Sequence, residues 1–267
     1  MPELKIVVLA KQVPDTHNVG GDAMNPDGTV NRAALPTVFN PEDLKALEMA
    51  LQVKDRMPGS HITVVTMGPQ RASQIIKDSC ARGADDGFVL SDARFAGADT
   101  LATSYALAQA IKQLGTVDLI LGGRQAIDGD TAQVGPQVAE KLEIPQITYA
   151  EELIAVDSRS ITLRRRLERG TECVKAQLPV LVTVTSAAQD CRYPNVHRML
   201  RLAGEEVRMV NADGIGADMD RLGLKGSPTK VKKIESVVLA HKESVVLEPT
   251  EAALNELTAT LIKEHIL

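Results

Sequence analysis

Aromatic side chains are scarce in this chain. Phe, Trp and Tyr make up 2% of its 267 residues, and tryptophan is absent. Proteins that grip single-stranded nucleic acid stack bases on such rings, so that function is poorly supplied. Positive charge is also short: 30 basic residues face 35 acidic ones, for a formal net charge of -5. A nucleic-acid partner is therefore not expected. No apolar run reaches the roughly 20 residues that a membrane-spanning helix needs, so membrane insertion is not expected either. The opening "MPELKIVVLAK" has no basic region and no cleavage site, and reads as the first strand of the fold. Cys80, Cys173 and Cys191 are widely spaced and form neither a CxxC pair nor a disulfide framework, which fits a reducing cytoplasm. The five histidines, at 17, 61, 197, 241 and 265, are scattered without ligand spacing, so no metal site is expected. Neither a G-x-S-x-G elbow nor a P-loop is found.

What is present is a hydrophobic content of 44%, enough for one large core or a core with a smaller extension. "KIVVLA" (5–10), "HITVVTMG" (61–68), "DDGFVLS" (85–91) and "VDLILGG" (117–123) read as short buried strands. Helices fall between them. "NPEDLKALEMALQVKDRM" starts with Asn40 as N-cap, Pro41 in the first turn and Asp43 closing a capping box. "RASQIIKDSCARGA" and "DTLATSYALAQAIKQLG" end at Gly83 and Gly115. Apolar strands alternating with helices give an α/β fold, a mostly parallel sheet flanked by helices.

Several segments break the rhythm. The stretch 11–39 is rich in turn residues, and its "NPDGTV" reads as a small hairpin turn. It either lies over a ligand at the sheet edge or is a surface excursion. After residue 150 the pattern becomes antiparallel ribbon, and "PVLVTVTS" (179–186) returns to the main sheet. "AAQDCRYPNVHRMLRLAGEEV" reads as loop and short helix. Residues 211–250 are Gly-rich and lack an apolar period, so their order has to come from packing on something else. "TEAALNELTATLIKEHI" is a final helix with Leu254, Leu257 and Leu261 on one side. The expected division is an α/β domain over 1–210 and an extended C-terminal arm and helix over 211–267.

The stretch "GGRQAIDGDTAQVGPQVAEKL" (122–142) follows a strand with two glycines, a polar loop and a helix that Asp130 or Thr131 would cap. The carboxyl ends of strands and the starts of the following helices are where open α/β sheets bind nucleotides and anions. The alternative is a plain strand-to-helix turn.

Taken together, "AKQVPDT" (10–16), "NPEDLKALE" (40–48), "VVTMGP" (64–69), "FAGADTLATS" (95–104), "GRQAIDGDTAQVGPQVAE" (123–140), "RRRLERGTECVKAQLPVLVTV" (164–184) and "KGSPTKV" (225–231) carry a resemblance that covers essentially the whole chain. The sequence resembles the beta subunit of electron-transfer flavoproteins, and within that family the flavin-bifurcating branch. The resemblance implies a heterodimer with a larger alpha subunit, embraced by the C-terminal arm. Conventional members hold a structural AMP. Bifurcating members hold FAD in its place. That FAD takes a hydride from NADH and splits the electron pair between ferredoxin or flavodoxin and, through the alpha-subunit FAD, a flavin dehydrogenase of lactate or acyl-CoA type. The chain would thus be a subunit of an NADH-dependent oxidoreductase complex, with no catalytic side chain required.

Carried onto this chain, the nucleotide-contacting positions are Ala10, then Asn40, Pro41, Glu42 and Asp43, then Met67. They continue as an unbroken run of Gly123, Arg124, Gln125, Ala126, Ile127, Asp128, Gly129, Asp130, Thr131, Ala132, Gln133 and Val134. Asp128 and Asp130 would repel phosphate and are read as capping helices or bracing the loop. Arg124 is read as a charge near the cofactor. Arg164, Arg165, Arg166 and Arg169 are read as pairing across the subunit boundary, and Arg192 and Tyr193 as lying in the partner-recognition region. Small residues at 129 and 132 leave room for a dinucleotide, which favours FAD over AMP. Helix propensity alone would also explain Ala132. Two readings of other classes remain beside this one: an independent nucleotide-dependent ligase or hydrolase, and a module that senses adenine nucleotide.

Overall fold

The apolar runs become parallel strands because each is short, rich in Val and Ile, and covered on both faces. In the computed structural model, residues 3–15, 36–229 and 246–267 are described. The first strands are β1 (Lys5–Leu9), β2 (Gln12–Pro14) and β3 (Thr37–Phe39), followed by helix α1 (Pro41–Arg56). Next come β4 (His61–Met67), α2 (Ser73–Arg82), β5 (Asp86–Leu90), α3 (Thr100–Gln113), β6 (Leu119–Gly123) and α4 (Val134–Leu142). The ribbon strands are β7 (Gln146–Val156), β8 (Ser160–Leu167) and β9 (Gly170–Gln177), and β10 (Val180–Val184) returns to the sheet. Helix α5 (Val196–Leu202), strand β11 (Arg208–Val210) and helix α6 (Glu251–Lys263) complete the order.

Nine strands form one sheet in the order β11-β5-β4-β1-β6-β10-β7-β8-β9. Pairing is parallel from β11 to β7 and antiparallel from β7 through β9. Leu47 and Ile75, from α1 and α2, pack with Ile6, Val8 and Leu121 on one face. Tyr105 and Val138, from α3 and α4, pack with Val7, Val65 and Ile120 on the other. The chain steps outward from β1 to β4 and β5, then crosses back to lay β6 on β1's opposite side. Strand order reverses there, and the carboxyl ends of β1 and β6 at such a switch point are where open α/β sheets place their binding crevice.

The long excursion after β1 is tied at its base, where β2 pairs antiparallel with β3. Its "NPDGTV" turn lies outside the described residues. Three of the four ribbon arginines are paired inside the chain: Arg164 with Glu152 at 2.7 Å, Arg165 with Glu172 at 3.2 Å and Arg166 with Glu151 at 2.7 Å.

Two compact units divide the chain, Met1–Lys232 and Lys233–Leu267. The first extends past residue 210, because the aperiodic stretch packs on its own domain. Ala212, Ile215 and Leu222 are buried in the core on the α3 and α4 face. Strand β11 adds to the sheet beside β5. A charged clasp fixes the join: Arg94 binds Asp92 at 2.6 Å and Asp213 at 2.8 Å, and Asp92 also accepts the Ala212 N–H. Arg94 holds the Asp92 carboxyl well below the usual carboxylate range. In the second unit, Thr250 caps α6 by accepting the Ala253 N–H, and no residue of that helix is buried.

Replacing Arg94 with Ala should release this clasp. Amide hydrogen exchange is expected to speed up over 208–222 while β1, β4 and β6 keep their protection. Unchanged exchange over 208–222 would show that apolar burial alone holds the segment.

Candidate nucleotide-binding crevice

The strand exit at 123–127 is gripped by the first turn of α1. Alternate amides donate to three side chains of that turn: Gly123 N–H to Asp43 at 2.8 Å, Gln125 N–H to Glu42 at 2.9 Å, and Ile127 N–H to Asn40 at 3.2 Å. Asn40 Nδ2 donates back to the Gln125 carbonyl at 2.9 Å. On the far side, Arg124 N–H donates to the Val184 carbonyl at the end of β10. The segment thus continues the sheet with side chains for a neighbour. Asn40 stands at the N-cap position of α1, but its side chain makes no cap bond. The expected capping box with Asp43 is therefore absent, because both side chains reach across the crevice instead. A Cβ on Gly123 would lie 2.5 Å from Asp43 Oδ1 and 2.8 Å from Glu42 Cβ, so only glycine fits under this grip.

Asp43 also accepts the Lys11 N–H at 2.8 Å and so ties the exits of β1 and β6 together. Burial pushes its carboxyl up to about 7, opposed by its bonds to Asn40, Gly123 and Lys11. Glu42, itself buried, pairs with Arg124 at 3.2 Å. The Arg124 guanidinium lies 5.8 Å from the centre of the Tyr149 ring. Arg124 is thus bound by protein rather than held out as a free charge. Lys11 Nζ pairs with Asp128 at 2.7 Å, and Gln125 Nε2 donates to Asp130 at 2.7 Å. Both aspartates therefore brace the loop, as their charge required.

Beyond Asp128 the backbone turns sharply. Gly129 and Asp130 N–H groups both donate to the Ala126 carbonyl. Asp130 and Ala132 have φ of 50° and 51°, in the left-handed region. Helix α4 begins at Val134, with Gln133 as an N-cap that makes no side-chain bond to it, so neither Asp130 nor Thr131 caps it. The amides of Thr131, Ala132 and Gln133 donate to no described residue. Successive free amides in such a turn, at a helix start, make an anion-binding concavity. The start of α1 is less suited to an anion, since its first turn carries Glu42 and Asp43, which accept from the 123 and 125 amides.

Ala10 is buried and its N–H is spent on the Val65 carbonyl. Met67 closes β4, and the hydroxyl of Thr66 just before it is buried without a hydrogen-bond partner among the described residues. Pro41 supplies the first residue of α1. The switch point thus gathers the α1 turn and 123–128 in direct contact, with Ala10 and Met67 at adjoining strand ends and 129–134 leading into α4. Lys11 and Tyr149 were missed in the sequence. Lys11 stands in the quoted "AKQVPDT", whereas Tyr149 sits in a ribbon strand with no local signal. Arg192 is drawn inward to Glu48 and Asp55, at 2.9 and 2.7 Å, while Tyr193 beside it is 94% exposed.

The Asp43 proton gives a test with a defined sign. The unfolded chain loses it near 3.8, the folded chain near 7. Its contribution to stability is therefore full below 3.8 and is lost as pH rises through 7. Asp43→Asn cannot titrate. The stability of the natural protein relative to this variant, from urea unfolding, should fall between pH 5 and pH 8, at up to about 1.4 kcal/mol per pH unit. A difference that stays flat or grows would contradict the buried, protonatable clamp.

Comparison with known proteins agrees with this architecture. The electron transfer flavoprotein domain model matches residues 27–212. The electron transfer flavoprotein subunit beta of Clostridium acetobutylicum is 44% identical over 262 residues, covering 98% of this chain and 99% of the relative. The caffeyl-CoA reductase-Etf complex subunit CarD of Acetobacterium woodii is 44% identical over 228 residues, 85% of this chain and 86% of the relative. Protein FixA of Sinorhizobium fredii is 40% identical over 266 residues, 97% and 92% of the two chains. The protein belongs to the electron transfer flavoprotein family, as a beta subunit.

Proposed function

We propose that the crevice holds FAD, and that the chain is the beta subunit of a cytoplasmic, NADH-dependent, electron-bifurcating flavoprotein complex. The observation that carries this reading is the open lip of the turn. A Cβ built on Gly129 meets nothing within 4 Å among the described residues, and Ala132 holds its left-handed backbone with only a methyl group. A dinucleotide needs that space, and AMP does not. The free amides of Thr131, Ala132 and Gln133 suit a diphosphate. The orphaned Thr66 hydroxyl and the small Ala10 at the ends of β4 and β1 suit the adenosine end. Likeness to a subunit of a caffeyl-CoA reductase-Etf complex supports the same branch.

When bound, FAD supplies hydride acceptance from NADH and one-electron transfer, to ferredoxin or flavodoxin and, through the alpha-subunit FAD, to a dehydrogenase of lactate or acyl-CoA type. The chain's own residues bind and orient. The α1 turn fixes 123–127. Lys11 neutralises Asp128, so the loop presents less negative charge to a diphosphate. Glu42 and Tyr149 hold the Arg124 guanidinium at the crevice wall. The C-terminal arm embraces the alpha subunit in this reading, and the unburied leucines of α6 support it: Leu254 is 56% exposed and Leu257 39%.

Gly129 offers a clean probe because no described residue lies within 4 Å of a Cβ built on it. In the complex with the alpha subunit, Gly129→Trp should leave the urea midpoint unchanged. It should lose the beta-site flavin while still taking up AMP, and lose NADH-driven reduction of ferredoxin. A variant that keeps this flavin and bifurcates normally would refute the placement of FAD past this lip.

A further inference from the structure

A row of polar side chains joins α3 to α4 behind the turn. Ser104 Oγ lies 3.0 Å from Gln137 Oε1 and 2.9 Å from the Leu101 carbonyl, so its single proton is shared between the two acceptors. Gln137 Nε2 donates to Thr100 Oγ1 at 3.4 Å, and Thr100 donates onward to Gln133 Oε1 at 2.8 Å. From Gln137 onward the donors run in one direction, so each bond polarises the next. Thr100 has one hydroxyl proton. Where it accepts from Gln137, that proton is left for Gln133, and the Gln133 carbonyl oxygen faces α3. The Gln133 amide is thereby fixed in one of its two orientations. Its NH2 group makes no bond to any described residue. The row is anchored from below: Ser104 is fully buried, and Asp99 caps α3 by accepting the Leu101 and Ala102 amides.

We propose that Gln137 and Thr100 are positioning residues that lock the Gln133 side chain with its NH2 group turned outward as a donor for the phosphate of an adenine nucleotide. This rests on the reading that the turn at 129–134 receives such a nucleotide. Gln137 lies one helical turn beyond Gln133 and acts only through Thr100. The row explains why an uncharged glutamine can serve there: its orientation is set before the ligand arrives, so little rotamer freedom is lost on binding.

The test measures binding of FAD and AMP to the heterodimer stripped of nucleotide, for Gln137→Leu, Thr100→Val, Thr100→Ser and Ser104→Ala. Gln137→Leu and Thr100→Val should each weaken FAD and AMP about fivefold, the value of one hydrogen bond. Thr100→Ser should bind within about twofold of the natural protein, since the hydroxyl is restored. Ser104→Ala should lower the urea midpoint yet weaken binding less than Gln137→Leu, because Thr100 still accepts from Gln137. Loss of affinity in Thr100→Val but not in Gln137→Leu would make Thr100 a direct contact and overturn the positioning role. Unchanged affinity in both would reduce the row to helix packing. If the natural heterodimer binds neither nucleotide at this site, the functional reading falls, and the positioning role falls with it.

Discussion

The crevice depends on one interaction: the first turn of a helix standing in for a neighbouring strand. Asn40, Glu42 and Asp43 each accept an amide from alternate residues of 123–127, the spacing at which an extended segment turns its N–H groups to one side. That grip forces Gly123 to be glycine and draws Lys11 to the same carboxylate. It also brings Arg124 to Glu42. A loop anchored so firmly at its root can tolerate strain at its tip. The left-handed Asp130 and Ala132 are the kind of costly backbone that persists only when its surroundings over-determine it.

The same grip sorts charge. Acidic side chains are favourable at the positive end of a helix, and α1 carries Glu42 and Asp43 in its first turn, where they accept from the 123 and 125 amides. The start of α4 is left without a side-chain cap and with free amides ahead of it. Of the two helix starts beside 123–134, the first carries two carboxyl groups in its opening turn and the second none. Lys11 cancels Asp128 between them. In the proposed nucleotide site, this division is how so many carboxylates and no P-loop lysine are compatible with a bound phosphate.

The parallel strands and the crevice at their carboxyl ends were legible in the sequence, because buried strands show as short apolar runs between helix signals. The roles of Asn40 and Asp43 were not. An Asn-Pro-x-Asp start has the pattern of a local cap, and no local pattern reveals that residues 80 or more positions away compete for the same oxygens. Helix α4 was started too early for a related reason: Asp130 has cap chemistry, but Gln125 takes its carboxylate. Strand β11 has only three residues, too few for a periodic signal. The stretch around Ile215 and Leu222 is held by scattered anchors and an Arg94 clasp, which leave no period to read. The ribbon arginines found partners on adjoining strands, a matter of register that sequence spacing does not display.

The central claim is that the gripped turn holds a dinucleotide that works, rather than a mononucleotide that only fills space. The most direct measurement is the FAD and AMP content of the purified natural heterodimer, released by denaturation and quantified together. The expected result is a second FAD per heterodimer beside that of the alpha subunit, with no AMP. One FAD accompanied by one AMP would contradict the claim and leave a conventional single-flavin electron carrier.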